Sequence, residues 1–433
     1  MKTISRRNFL TTVGSLTALA SLQPYLYAGD GKRPKVLLRS SWQMVNIGDI
    51  AHSPGMLTLL EKYIPESDVT LWHGGEFWPE VQAMEQRRFP KLQFVSGKVK
   101  PDLSVPNAQL QKAIDEADFV LHGSSSGFAA LFDVQRAAQR NGKRYGFYGC
   151  TYTGTTEAGI EALSNAAFYF ARNASSVDVA REAGVKCPVM EFGPDAAFAC
   201  DLRNDEAALK FLSMNQLQPD KFVCCIPRLR WTPYWKIRNK KQTDQDREKW
   251  DFSQKMRGQD HAPLRQTIER ILRETDLKVL ICPEDMSQME VGKLDLYDPL
   301  CKTLPDDLKA RLVWRPNYWL TDEAISVYVR SAGLFGLEMH SPIMCVGNGI
   351  PAVVCRFKEQ TIKGFMWRDI GLGDWLFDMD VESQTARIAD TVLDMLTHPE
   401  QSAVRVQQAQ KIVQKRQEHT MAILRRELGL SQR

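Results

Sequence analysis

Little in this 433-residue chain is extreme, and what it lacks narrows the field. Lys+Arg 56 against Asp+Glu 52 leaves a net charge of only +4, too small to argue for nucleic acid as a partner. Beyond the N-terminus no apolar run is long enough to cross a bilayer. Nine cysteines are present, yet none forms a C-x-x-C pair or a His/Cys spacing of zinc type. Cys224 and Cys225 sit inside the apolar run Phe222 to Ile226, and most of the others are in similar runs. Buried free thiols are therefore the expectation. There is no solenoid or propeller repeat and no low-complexity tract. What remains is a globular composition, 43% hydrophobic and 25% charged, long enough for two domains.

The N-terminus carries an address. Ser5-Arg6-Arg7-Asn8-Phe9-Leu10 matches the twin-arginine pattern, followed by a moderately apolar stretch from Val13 to Leu22 and then Pro24. Residues 1–28 are expected to be an export signal with cleavage near Ala28, and the twin-arginine export machinery to be a partner. The mature chain would then be periplasmic, or membrane-tethered if the signal stays attached.

From Lys35 onward short apolar runs alternate with helical patterns. Strands are expected at Lys35–Arg39, Asp68–Trp72, Asp118–Leu121, Arg144–Tyr148, Phe168–Arg172 and Val189–Phe192. The segment Asp201–Asp220 is polar and helical and reads as a hinge. The pattern restarts at Phe222, with a long insertion from Pro227 to Ala262, a helix from Leu264 to Glu274, and strands at Lys278, Leu312, Leu334 and Ile350. Such alternation predicts parallel sheets with helices on both faces. The expected fold is α/β, two Rossmann-like domains (34–200 on the acceptor side, 218–396 on the donor side) facing a cleft in a GT-B-like arrangement. The tail 397–433 is read as an amphipathic helix that packs back across the domains.

In open α/β sheets ligands sit at the carboxyl ends of strands, so the loops there supply the candidates. Gly336 to Pro351 reads as a strand end, a short helix starting at Ser341-Pro342, and the next strand. That places Glu338 and His340 beside a helix N-terminus, where free N–H groups favour an anion; a histidine filling the corner is the plainer reading. Asn46, Gly48 and Asp49 fall at the first strand–helix junction. Gly48 would let the backbone approach a ligand, and Asp49 would either orient an acceptor hydroxyl or simply cap the helix. His122 and Ser124 close the Asp118 strand and could line the acceptor side, or be ordinary turn residues. Arg228, Arg230, Lys236, Arg238, Lys240, Lys241, Arg247 and Lys249 alternate with Trp231, Tyr234 and Trp235. This is either a lid whose aromatics, Trp231 and Trp235 above all, stack on sugars, or a solvated insertion.

Several of these stretches together resemble the polysaccharide pyruvyl transferase family. The matching features are N-I-G-D at Asn46 to Asp49, A-D-F-V-L-H-G at Ala117 to Gly123, and Tyr145 to Gly149 at a strand end. R-N-A-S-S at Arg172 to Ser176, G-P-D-A-A-F at Gly193 to Phe198, H-S-P-I-M-C-V-G-N-G-I-P-A-V from His340, and Lys363-Gly364 complete the series. The resemblance implies transfer of a pyruvyl group from phosphoenolpyruvate onto two hydroxyls of a sugar, with no metal and no cofactor. It implies that His340 and Asp49 are catalytic, His340 as a proton donor. Arg228 or Arg230, with Glu338, Ser341 and Lys363, would face the donor.

One position departs from the pattern: where family members usually carry an arginine two residues before the histidine, this chain has Glu338. A carboxylate there repels a doubly anionic donor unless it is protonated or bridged by a cation. Export also separates the chain from phosphoenolpyruvate, a cytoplasmic metabolite. The expected partners are phosphoenolpyruvate or another anionic donor and a glycan acceptor. Two alternatives stay open, a GT-B-type transferase with a changed donor and a glycan-binding protein without catalysis.

Overall fold

Asn46 shows how the elements of this chain are set. Its backbone is extended and its side-chain oxygen accepts the N–H groups of Gly48 and Asp49, at 2.8 and 3.3 Å, so the helix Ile47–Tyr63 starts there. The helix follows the strand β1 (Lys35–Arg39) and runs through Pro54; Asn46, not Asp49, is its cap. The computed structural model describes residues 33–431 apart from Ser41 and Glu76. The export signal read at residues 1–28 lies outside the described residues.

The remaining first-half strands are β2 (Asp68–His73), β3 (Gln93–Ser96), β4 (Phe119–His122), β5 (Arg144–Cys150), β6 (Phe168–Ala171) and β7 (Met190–Phe192). All pair in parallel in the order β3-β2-β1-β4-β5-β6-β7. The second half repeats the plan with β8 (Phe222–Ile226), β9 (Lys278–Ile281), β10 (Leu312–Trp314), β11 (Gly333–Gly336), β12 (Ala352–Arg356) and β13 (Leu376–Asp378). Their order is β10-β9-β8-β11-β12-β13, again parallel throughout. Each sheet reverses its strand order once, between β1 and β4 and between β8 and β11. Crevices open at such reversals, beyond the carboxyl ends. Both sheets lie within one compact unit, Pro34–Arg433.

The two carboxyl edges meet. Asn46 bridges Asp285 in antiparallel fashion, Ile47 N–H donates to the Glu284 carbonyl at 3.1 Å, and the Thr321 hydroxyl donates to the Ile47 carbonyl at 2.8 Å. The core follows suit: Met44, Ile47, Ile50 and Ala51 belong to the same apolar cluster as Cys224, Leu334 and Ile343.

Three expectations change. Asp201–Asp220 is not a free hinge: its helix Asp205–Met214 buries Ala208 and Leu212 in the second-half core, and Asn204 N–H donates to the Ser326 hydroxyl at 2.8 Å. The insertion after Pro227 is mostly helix. Thr243 and Asp246 form a reciprocal capping box, and one helix runs from Asp244 to Glu274 through Pro263. Ser341 is not a cap but a first-turn residue, because Glu284 and Tyr328 claim its hydroxyl. The C-terminal helix Pro399–Glu427 does pack back across the halves. Gln410 reaches the Gly347 carbonyl, Arg416 the Phe192 carbonyl and Arg425 the Glu66 carboxylate. All nine cysteines are buried. Among the described residues no helix is long and apolar enough to cross a membrane.

The helix Pro79–Arg88 buries a carboxyl, Glu85, whose two oxygens have no hydrogen-bond partner. Burial pushes its pKa up to about 8. The folded chain thus holds a proton that the unfolded chain releases near pH 4.5, so this group's contribution is complete below that pH and is lost as pH rises towards 8. Over that window the loss is about 5 kcal/mol. Glu85→Gln should flatten the fall in urea-unfolding free energy between pH 5 and 8; an unchanged slope would place the proton elsewhere.

Candidate functional site

The site is built where the two reversals face each other. From the second half, β11 ends at Gly336, where an added Cβ would stand 2.4 Å from the Ile226 carbonyl oxygen, so only glycine lets the chain turn beside β8. Leu337 and Glu338 follow, and the helix His340–Gly347 begins. From the first half comes the start of the helix Ile47–Tyr63. An ideal Cβ on Gly48 would lie 2.0 Å from the His340 Cβ, so backbone and imidazole touch directly across the cleft.

Around His340 the groups are charged and almost wholly buried. Glu338 is 3% exposed and bonds the Arg228 guanidinium, while Lys363 Nζ stands 4.0 Å from its other oxygen and Met339 N–H donates to it at 2.9 Å. Burial opposes its ionisation, but Arg228 and Lys363 outweigh that and hold Glu338 below the ordinary carboxylate range. Glu284, on the loop after β9, has no such partner. One oxygen takes the Ser341 hydroxyl and the other lies 3.8 Å from His340 Nδ1. Burial, with the Glu338 charge second, pushes its pKa well above the usual value. His340 is driven the opposite way, well below its ordinary value, by burial and then by Lys363 and His52. The imidazole is therefore neutral near pH 7.

Behind His340, from the first half, stand His52, Asp195 and Arg172. The His52 and His340 rings meet edge to face at 5.1 Å, and His52 Nε2 is 3.4 Å from Asp195 Oδ2. Arg172 donates to the same oxygen at 2.8 Å. Burial would raise the Asp195 pKa, but His52, Arg172 and His340 hold it ionised far below the usual range. None of the ring nitrogens of His52 and His340 meets hydrogen-bond geometry with a protein group. His52, Asp195 and His340, and separately Glu284, Glu338 and His340, offer ligand atoms within 4.8 Å of one another. Fixed cations already answer the ionised carboxylates in both sets, Arg172 on Asp195 and Arg228 with Lys363 on Glu338. We assign no metal ligands among them.

The structure gathers only part of the set expected from sequence. His340, Glu338, Ser341, Lys363, Arg228, Asn46, Gly48 and Asp49 converge. Asp49 accepts from the Gln43 amide, whose nitrogen also lies 3.5 Å from the Tyr234 hydroxyl, and Arg238 donates to the Gln43 oxygen. The two arginines part company: Arg230 is spent on Asp260, Asp380 and Glu359 and lies over the Phe357 ring. Trp231 and Trp235 pack edge-on against Phe252 and Trp250 of the Asp244–Glu274 helix, so Tyr234 is the aromatic that reaches Gln43. His122 is buried, its ring nitrogens facing the Gly123 and Ala129 carbonyls at 2.7 and 2.5 Å, and burial pulls its pKa down to about 4. The Ser124 hydroxyl accepts Ala196 N–H at 2.9 Å. Both are tied to their own domain. Sequence reasoning gave no role to His52, Asp195 or Arg172, and read Glu284 only as a plausible cleft residue after a strand end. A signal existed for three: Arg172 and Asp195 lie inside quoted motifs, and His52 is one helical turn after Asp49.

Comparison with known proteins agrees with this geometry. A family profile described as polysaccharide pyruvyl transferase matches residues 46–358. No curated protein matches the sequence significantly. Among solved structures, a putative UDP-N-acetylglucosamine 2-epimerase from Listeria monocytogenes superposes with a TM-score of 0.58 at 12% identity, covering 93% of this chain and 98% of its own. Anabaena HepE in complex with UDP and glucose gives 0.55 at 10% identity, with 90% and 98% covered. The UDP-GlcNAc 2-epimerase from Neisseria meningitidis bound to UDP-GlcNAc gives 0.52 at 12%, with 90% and 100% covered. At these identities the likeness concerns the fold, which is the two-domain GT-B arrangement.

The contact at Gly48 is the most easily broken feature. Gly48→Ala has to displace either His340 or the helix start, a strain of about 1–3 kcal/mol for overpacking a filled interior. We expect that loss in chemical unfolding. Wild-type stability in the variant would show that the halves do not close on this residue.

Proposed function

We propose that this chain, which belongs to the polysaccharide pyruvyl transferase family, transfers a pyruvyl group from phosphoenolpyruvate to a sugar of a cell-envelope polysaccharide. The observation that carries the reading is the set of cations, buried Arg172 with half-buried Arg228 and Lys363, around His340 at the start of an eight-residue helix. Phosphoenolpyruvate offers a carboxylate and a phosphate, and a guanidinium, an ammonium and free helix N–H groups are the partners such anions need. Glu338 now holds Arg228 and Lys363. The donor has to take one of them from it, which lowers affinity but keeps the cations in place between turnovers.

A neutral His340 suits a base better than the proton donor expected from sequence. It would take the proton of the attacking sugar hydroxyl. Asp49 and Gln43 from the first half, with Tyr234 and Arg238 from the second, form a rim that would orient that sugar. The twin-arginine signal read at Arg6-Arg7 would place the reaction outside the cytoplasm, on glycans already assembled there.

A second reading has a specific observation behind it. Glu338 occupies Arg228, and Anabaena HepE and the Neisseria epimerase were crystallised with UDP or UDP-GlcNAc. This chain would then be a transferase of the same fold using a nucleotide-sugar donor.

Calorimetric titration separates the two. The mature protein should bind phosphoenolpyruvate more tightly than UDP, and Glu338→Arg should tighten that binding by about tenfold or more, since it removes a competing carboxylate. His340→Ala should lower turnover by about 10²–10⁴-fold with binding retained. UDP binding without phosphoenolpyruvate binding would favour the second reading, and unchanged turnover in His340→Ala would remove the histidine from the chemistry.

A further inference from the structure

Three carboxyl groups from two strand ends line the cleft, two of them beside His340, and their partners sort them. Asp285 accepts Ser287 N–H at 2.8 Å and the Thr232 hydroxyl at 3.0 Å. Glu338 has Arg228, Lys363 and Met339 N–H. Glu284 differs from both. One of its oxygens takes the Ser341 hydroxyl, which is 2.9 Å from the Tyr328 hydroxyl. The other, Oε1, has no hydrogen-bond partner and lies 3.8 Å from His340 Nδ1, itself unpartnered. Among the described residues no lysine or arginine is within ion-pair distance of Glu284.

A carboxyl that is 3% exposed and lacks a cation keeps its proton, because an unpaired buried charge costs several kcal/mol. The residue is also held firmly. Its carbonyl accepts Ile47 N–H from the other half at 3.1 Å, and the preceding Pro283 carbonyl accepts Trp319 Nε1–H at 3.0 Å. A rigid, proton-bearing Oε1 beside an unpartnered imidazole nitrogen has the geometry of an acid–base pair.

We infer that Glu284 is the proton donor of the transfer, giving its Oε1 proton to the methylene carbon of the enolpyruvyl group while His340 serves as base. The inference rests on the pyruvyl-transfer reading above. Protonation turns the methylene into a methyl group and leaves the adjacent carbon electron-poor. A sugar hydroxyl oxygen bonds to that carbon and its proton passes to His340. The carbon–oxygen bond to phosphate then breaks, the second sugar hydroxyl closes the ketal, and its proton leaves on the phosphate. His340 returns its proton to Glu284 across the short gap, so the pair is reset with nothing consumed beyond donor and acceptor. The roles are divided by environment: the carboxyl without a cation is the acid, the imidazole beside Lys363 the base, and the carboxylate held by Arg228 stays a spectator charge.

Two measurements on the full mature chain decide it. The first is infrared difference spectroscopy with carbon-13 glutamate at pH 7. The native-minus-Glu284→Gln spectrum should contain a protonated carboxyl band, separate from that of Glu85, which both proteins share. The second is steady-state turnover of phosphoenolpyruvate with a glycan acceptor, read as phosphate release. Glu284→Gln should lower kcat by about 10²–10⁴-fold with KM for the donor nearly unchanged, and Glu284→Asp should restore part of the rate. Should Glu284→Gln not fold, Glu284→Asp and the native band decide; the band must shift when phosphoenolpyruvate binds. Native turnover with an equally active Glu284→Gln, or an ionised Glu284 at pH 7, would overturn the inference while leaving the family reaction standing. No turnover by the native protein removes the family reaction itself, and the inference with it.

Discussion

The contact between Gly48 and His340 governs much of this molecule. A backbone without a side chain presses on the imidazole of the opposite half, and no Cβ would fit between them. That contact and the Asn46–Asp285 bridge draw the carboxyl edges of two parallel sheets together. One apolar core then runs from Met44 and Ile50 into the second sheet. The crevices that open at two strand-order reversals become one enclosed space.

Enclosure forces charge to be balanced locally. A buried ion without a partner costs several kcal/mol, and breaking a buried pair costs about 3–5 kcal/mol. Arg172 therefore answers Asp195, and Arg228 with Lys363 answers Glu338. Glu284, left without a cation, has to be neutral, and so does His340. Hydrophobic residues of the same volume would stabilise this interface at least as well. Keeping so many ionisable groups there makes sense as chemistry and not as stability.

Much of the scaffold was legible in the sequence because it follows local rules. Apolar runs such as Phe222–Ile226 and Lys278–Ile281 mark strands, and strand-end loops mark the crevice, which is how Asn46, Glu338 and His340 stand out, while Arg228 and Lys363 enter through the family resemblance. What was missed depends on distant partners. Ser341 reads as a cap, but Glu284 and Tyr328 claim its hydroxyl. Arg230 looks equivalent to Arg228 two residues away, yet it meets Asp260 and Asp380 instead. The tryptophans flanking Tyr234 face a helix whose capping box was hidden in a run of charged residues. His52, Asp195 and Glu284 gain meaning only from the long-range geometry around His340.

The same contact also divides the site in a useful way. Chain segment sorts the groups that meet at the crevice. Arg172, Asp195, His52 and Asp49 stay with the first sheet, and Arg228, Glu284, Glu338, His340 and Lys363 with the second. On the second side two cations face the one paired carboxylate beside His340, a surplus that suits an anionic donor. On the first side Arg172 is already matched by Asp195, and what remains at the rim is the Gln43 amide with Asp49, which suit a neutral sugar. His52 and Asp195 stand buried behind His340, where the exclusion of water strengthens every electrostatic interaction between the two sides.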